Sequence, residues 1–402
     1  MTGGGFRALP RTVWLLGFTS LFTDLSTSLI YGLLPLFLVS DLGASVFVVA
    51  LIDGIAEATA SFGKIYSGVL SDWLGRRKGL AVLGYALSGV AKPLFPIATS
   101  AGGILLARVV DRLGKGVRGA PRDALVADIT PPPLLGAAYG LRQSLDEAGT
   151  LIGPLAAAGL MLLFAGDVRL VFWVACLPAI VSVAILVIGV REPPEKRGLS
   201  PFSLLEKGTV PFSRAALRRL GRGFWLFIAA LFVMFLPRFT DAFYLLRGQA
   251  LGLTPAQVPL LLATMSTMTT FLTAPLGRWS DRVGRRLPVL VGFVFLLLSH
   301  AVLAAAWTPA VVFVGAALFG LHFALTQAVL SALVADLAPA DLRGTAFGVF
   351  HLMSGLAILI GSSAAGWVWD AAGAAAMFSA AAAMSLLGLA AFLALRKQPS
   401  AS

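Results

Sequence analysis

Residues 108–123 read Arg-Val-Val-Asp-Arg-Leu-Gly-Lys-Gly-Val-Arg-Gly-Ala-Pro-Arg-Asp, a run of ionisable groups inside an apolar stretch. At about 100° per residue in a helix, Arg108, Asp111, Arg112, Lys115, Arg118 and Arg122 fall within an arc of roughly 120°. So dense a cationic stripe either binds oxyanions or is neutralised by acids, and acids stand in other apolar runs. Asp24 lies in the first run, and Asp53 and Glu57 share a narrow face with Lys64 in the second. Arg142 and Asp146 stand beside Gly149 and Gly153, with Glu147 pointing elsewhere. A buried carboxyl group among arginines is suited to hold an exchangeable proton, because desolvation and the neighbouring cation pull its proton affinity in opposite directions. Glu57, Asp24 and Asp146, in that order, are the proton-binding candidates, with Asp241 behind them. Arg108, Arg112, Lys115, Arg142, Arg238 and His322 are the candidates for contact with a ligand. For Arg118, Arg122 and Asp123, an ion-pair network that fixes helix register is an equally good reading.

The second half of the chain is poorer in charge, offering Arg238 and Asp241 and then His300, His322 and His351. Histidine can move protons or bind metal, but three scattered histidines fit polar packing better. Met265, Met268 and Met353 could be soft metal ligands, yet methionine also fills gaps in apolar cores. No metal site and no cofactor are expected.

The elements that must carry these residues follow from composition. Of 402 residues, 58% are hydrophobic and 12% charged, whereas soluble chains run near a quarter charged. The apolar residues fall in long blocks. Spans are expected near 12–38, 46–70, 79–98, 101–128, 136–165, 169–190, 223–247, 255–277, 289–307, 310–337, 343–368 and 373–396, each near the roughly 20 residues a helix needs to cross a bilayer. The N-terminus shows no small-residue cleavage site, so the first block is expected to span rather than act as a signal peptide. An ionisable group at the bilayer centre costs roughly 2.5–3.5 kcal/mol, so the stripe cannot face lipid.

The net charge of +12 is concentrated in alternate loops, at Arg76–Lys78, at Arg278–Arg286 and in a linker from Arg191 to Arg222. That is the positive-inside pattern, which argues against nucleic acid and puts both termini and the linker in the cytoplasm. The linker is expected to form an amphipathic surface helix around Phe212–Leu220. A single cysteine, Cys176, excludes a disulfide framework.

The two halves repeat. GVLSDWLGRR at Gly68–Arg77 returns as LGRWSDRVGRR at Leu276–Arg286, matching Asp72 to Asp281. LVADITPPPLLGAAYG at Leu125–Gly140 returns as LVADLAPADLRGTAFG at Leu333–Gly348. The two displacements agree at 208 to 209 residues, as expected of duplicated halves. With these motifs the chain resembles the major facilitator superfamily over essentially its whole length. The resemblance implies an all-α polytopic membrane protein of twelve transmembrane helices in two pseudo-symmetric six-helix bundles. Their expected bounds are 1–190 and 223–402, joined by a linker over 191–222. It also implies a conformational latch of Gly68, Asp72, Gly75, Arg76, Arg77, Arg122 and Asp281. Gly140, Gly149, Gly153 and Pro154 are similar to the family's antiporter motif, although Ala157 and Ala158 replace its closing glycines. Arg108 matches the family's buried arginine of the fourth span.

The resemblance and the charges together imply a monomeric secondary transporter of a bacterial inner membrane, working with protons and a small-molecule substrate in the bilayer. The leading expectation is proton-coupled antiport that exports an anionic or zwitterionic molecule. An importer or facilitator of an organic anion is the alternative. A metal-ion transporter and a membrane-embedded enzyme are weaker readings, since no histidine–acid motif or metal-spaced cluster is present.

Overall fold

The computed structural model describes residues 9–74, 77–131, 134–190, 214–339 and 342–394. Their regular structure is helical throughout. We number the helices α1 (Arg11–Tyr31), α2 (Val46–Leu74), α3 (Arg77–Ile97), α4 (Ala101–Ile129), α5 (Leu135–Leu163), α6 (Val168–Ala184), α7 (Gly221–Phe235), α8 (Ala242–Ala250), α9 (Pro259–Val283), α10 (Arg286–Ala304), α11 (Pro309–Leu337) and α12 (Arg343–Ala394). Every expected span overlaps helix. Among the described residues nine helices are long and apolar enough to cross a membrane. α4 is as long but too charged to qualify on its own. A short helix, Arg214–Arg219, covers part of the expected linker helix, and residues 191–213 lie outside the described residues.

Local chemistry explains where the helices begin. Ser100 caps α4, its hydroxyl accepting from Gly103 N at 3.3 Å. Asp167 caps α6 by accepting from Arg169 N and Leu170 N at 2.9 and 3.2 Å. The N-terminus of α2 is held from a distance: Asp370 accepts from Val46 N at 3.0 Å and Phe47 N at 2.9 Å, a carboxylate at the positive end of a helix.

One expectation needs correction. The seventh span is not one helix but α7 and α8, broken over Leu236–Asp241. Pro237 lacks an N–H and so cannot extend the helical hydrogen-bond ladder. The break is stitched to α12, where Ser362 Oγ accepts from Thr240 N at 3.3 Å. The last two spans agree with expectation: Arg343–Ala394, written here as α12, is two helices separated by a kink at Gly373, whose non-helical φ of 84° suits glycine.

The chain forms two compact units. The first comprises Met1–Gly43, Thr59–Leu204 and Thr254–Ala263; the second comprises Ala44–Ala58, Leu205–Leu253 and Thr264–Ser402. In the first, α1 packs on α5 and α6, and α3 on α4. One cluster buries Val13, Leu16, Tyr85, Val126, Leu141 and Leu186. In the second, α10 packs on α11 and α12, and α7 on α12.

The repeat survives in the contacts. Gly153 lies so close to Ser28 that a Cβ would overlap it, and Gly361, 208 residues on, lies likewise against Leu236. Gly84 abuts Arg118 as Gly292 abuts Thr326, at the same displacement. Arg77 pairs with Asp128 at 2.5 Å, and Arg285 with Asp336 at 2.7 Å.

Candidate functional site

The stripe on α4 is buried, as its charge demands. Arg108, Asp111, Arg112 and Arg118 are each at most 5% exposed. They are held in two groups, both within the first unit.

The first group centres on Asp111. Its Oδ1 accepts from Lys92 Nζ at 2.9 Å and its Oδ2 from the Tyr31 hydroxyl at 2.9 Å. Lys92, fully buried on α3, also donates to Thr27 Oγ1 at 3.0 Å. The Tyr31 ring carries both neighbouring arginines, Arg108 at 4.0 Å and Arg112 at 4.7 Å from its centroid. Three spans therefore meet through one carboxylate.

The second group joins α1, α4 and α5. Gly149 and Gly153 let α5 close on α1 at Leu21, Leu25 and Ser28, where any Cβ would overlap. Across that approach the carboxyl groups of Asp24 and Asp146 lie near enough to act on each other. Cations ring the pair. Arg118 stands 3.9 Å from Asp24, while Arg122 and Arg142 each stand 3.8 Å from Asp146. Lys115 is near enough to act on both acids. Arg122 also pairs with Asp123 at 3.0 Å and donates to Ser20 Oγ at 3.0 Å. Arg118 donates to Ser88 Oγ at 2.8 Å and lies over the Tyr85 ring. Glu147 is turned to Gln143.

Other candidates are placed differently. Glu57 is half-buried and Asp53 buried on the part of α2 that belongs to the second unit. Arg238 is buried over the rings of Phe323 and Phe235, at 3.9 and 4.9 Å, and Asp241 is exposed at the start of α8. His322, expected to meet a ligand, is fully buried among Phe293, Phe319 and Phe323, with Nδ1 donating to the Gly292 carbonyl at 2.9 Å. Gly140 makes no close contact that a Cβ would disturb, so only Gly149, Gly153 and the buried Pro154 of that motif serve the helix approach. Arg122, grouped with the latch by resemblance, engages Asp123, Asp146 and Ser20. Arg77 binds Asp128 and donates to the Ala124 carbonyl at 2.7 Å. Gly75 and Arg76 lie outside the described residues, as do the surroundings of Gly68, Asp72 and Asp281.

Sequence reasoning missed Lys92 and Tyr31. The signal for Lys92 was present: a single lysine amid an apolar span must find a carboxylate or reach water. Tyr31 carried no such mark.

The sequence pattern described as Major Facilitator Superfamily matches residues 16–246 and 239–402. An uncharacterised MFS-type transporter of Methanocaldococcus jannaschii is 29% identical over 373 residues, covering 90% of this chain and 89% of the other. Multidrug resistance protein MdtH of Proteus mirabilis is 26% identical over 349 residues, covering 85% and 82%. Among solved structures, a peptide transporter POT in complex with alafosfalin superposes with a TM-score of 0.77 at 14% identity, over 95% of this chain and 94% of that one. The human organic anion transporter TETRAN gives 0.65 at 20% identity, over 95% and 99%. The fold and its charged helices define an integral membrane transporter, not an enzyme. The chain belongs to the Major Facilitator Superfamily.

Proposed function

We propose that the chain is a proton-coupled antiporter of a bacterial plasma membrane, exporting a small anionic or zwitterionic molecule by alternating access. The observation that carries this reading is the pair of carboxyl groups, Asp24 and Asp146, brought together on α1 and α5 amid Arg118, Arg122 and Arg142. Such a pair holds a proton when neighbouring cations are otherwise engaged and releases it when they turn to the acids. Five cations against three acids on α4 support a ligand that brings negative charge. Export is supported by the multidrug resistance proteins among the relatives. Cytoplasmic termini, a monomer, rocking bundles over 1–190 and 223–402, and a latch through Asp72 and Asp281 complete the proposal.

Purified chain in liposomes tests it. An imposed pH gradient should drive uptake of an anionic or zwitterionic compound, found first by thermal-shift screening, with counterflow of protons. Flux that ignores the gradient would leave only a facilitator. Topology is checked separately. With Cys176 replaced, a cysteine at Gly198 or Arg285 should label only from inside and one at Asp41 only from outside.

A further inference from the structure

We infer that Asp123 governs proton loading of the Asp24–Asp146 pair by competing with Asp146 for the same two arginines, a role that rests on the proton-coupling reading above. Arg122 donates from Nε to Asp123 Oδ1 at 3.0 Å. Its Nη1 stands 3.8 Å from Asp146 Oδ1, beyond hydrogen-bonding range, and donates instead to Ser20 Oγ at 3.0 Å. Arg142 lies between the two acids, its Nε 3.7 Å from Asp123 Oδ1 and its Nη1 3.8 Å from Asp146 Oδ2. Its Nη2 is held by Gln143 Oε1 at 2.7 Å. Nε and Nη1 of Arg142 and Oδ1 of Asp146 are buried with no hydrogen-bond partner among the described residues.

A guanidinium holds a carboxylate best through short, parallel N–H bonds, and a buried donor or acceptor left without one is costly. Arg142 is therefore poised: closing by about 1 Å on either acid completes a hydrogen bond. Arginines that close on Asp146 favour its ionised form and expel a proton. Arginines that close on Asp123 leave Asp24 and Asp146 as two neighbouring acids, which hold a proton between them. Asp123 is the more open of the two competitors, its side chain 44% exposed against 24% for Asp146. It also stands nearer the loop between α4 and α5, while Asp146 lies deeper, beside the close approach at Gly149. The other titratable groups around the pair are Lys115 and Arg118 on α4, Glu147 on α5 and Tyr85 on α3 beside Arg122. Tyr139 donates its hydroxyl to the Asp123 carbonyl at 2.8 Å. Among the described residues, the ion pairs that join Asp123 to Asp146 run through Arg122 and Arg142.

The test is an infrared titration of the full chain in nanodiscs, following the C=O band of protonated carboxyl groups against pH. In the parent one such band should titrate and be missing from the double variant Asp24→Asn/Asp146→Asn. Asp123→Asn releases Arg122 and Arg142 to Asp146, so the midpoint of that band should fall by about one pH unit. Asp123→Glu, which keeps the competing charge, should return it to within about half a unit of the parent. In an Arg142→Gln background the effect of Asp123→Asn should shrink to about half, because one of the two shared cations is gone. A parent without the band overturns the proton-pair reading and this inference with it. A band that is present in the parent and missing from the double variant, yet titrates unchanged in Asp123→Asn, overturns the role of Asp123 alone. An undiminished shift in the Arg142→Gln background shows direct repulsion between the acids and overturns the competition for arginine. Should Arg142→Gln not fold, an Asp123→Glu midpoint that matches Asp123→Asn rather than the parent overturns it equally.

Discussion

The two halves are built on the same contacts and filled with opposite chemistry. Displacing the chain by 208 residues carries Tyr31 to Phe239, Lys92 to His300 and Asp111 to Phe319. In the first unit these positions hold a buried ion pair and its tyrosine. In the second, Phe239 stacks on His300 at 4.9 Å, and Phe319 packs on Tyr244 at 4.6 Å. Meanwhile the glycine contacts at Gly84 and Gly153 have kept their counterparts at Gly292 and Gly361. Backbone approach is therefore shared, because a helix pair that relies on a missing side chain tolerates nothing larger. Side-chain chemistry at those crossings is free to diverge. One half has specialised in charge and the other in aromatic packing.

The comparison breaks most visibly in coupling. Asp24→Asn or Asp146→Asn should abolish proton-driven accumulation in liposomes while leaving exchange partly intact, whereas Asp241→Asn in the other half should leave accumulation unchanged. Normal coupling in both first-half variants would move the proton site elsewhere, with Glu57 the next to examine.

Stability gives the next contrast. Lys92→Met leaves Asp111 buried without its cation and should cost about 3–5 kcal/mol. Its counterpart His300→Leu gives up one hydrogen bond to Ser385 and should cost about 1–3 kcal/mol, mostly from the unmade bond and repacking. Chemical denaturation in mixed micelles compares the two. The double variant Lys92→Met/Asp111→Leu should recover much of the first loss, since it removes the stranded charge.

Where the halves agree, so should their variants. Gly153→Ala and Gly361→Ala should each destabilise by about 1–3 kcal/mol through overpacking. Gly140→Ala, with open space at its Cβ, should be neutral or gain up to about 1 kcal/mol of helix propensity. A large loss at Gly140 would show that the motif acts there after all. The smallest effects belong to the paired bridges. Asp128→Asn and Asp336→Asn, each removing a half-exposed or exposed ion-pair partner, should cost about 0–1 kcal/mol each, screened by salt.

Much of this was legible in the chain itself. Hydropathy blocks located the spans, because lipid demands long apolar helices. The repeat was legible because its loop motifs kept their residues, and the burial of α4 followed from the cost of charge in a bilayer. What sequence could not supply were partners across helices. Asp111 looked like one member of a stripe, and only packing reveals that it belongs to Lys92 and Tyr31. Asp24 and Asp146 were separate candidates until Gly149 and Gly153 brought their helices together. Pro237 sat within an expected span, beside Arg238 and Asp241, so hydropathy ran through a break that backbone chemistry had marked. His322 looked functional by type alone, while its burial among phenylalanines is a tertiary fact.

The bridge between Lys92 and Asp111 has a bearing on how the chain is made. Offered alone to a translocon, nascent α4 carries Arg108, Asp111, Arg112, Lys115, Arg118, Arg122, Asp123 and Asp128, and each charge near the bilayer centre resists partitioning by roughly 2.5–3.5 kcal/mol. α3 arrives just ahead of it, across a loop of residues 98–100, already holding a lysine that needs the same carboxylate. Entry of the two as a hairpin neutralises one charge on each before lipid is met, and α1 and α5 then enclose the remainder. Insertion of this half is thus expected to need several helices together. α11 in the other half carries Asp336 as its one charged residue, near its end, and can leave the translocon by itself.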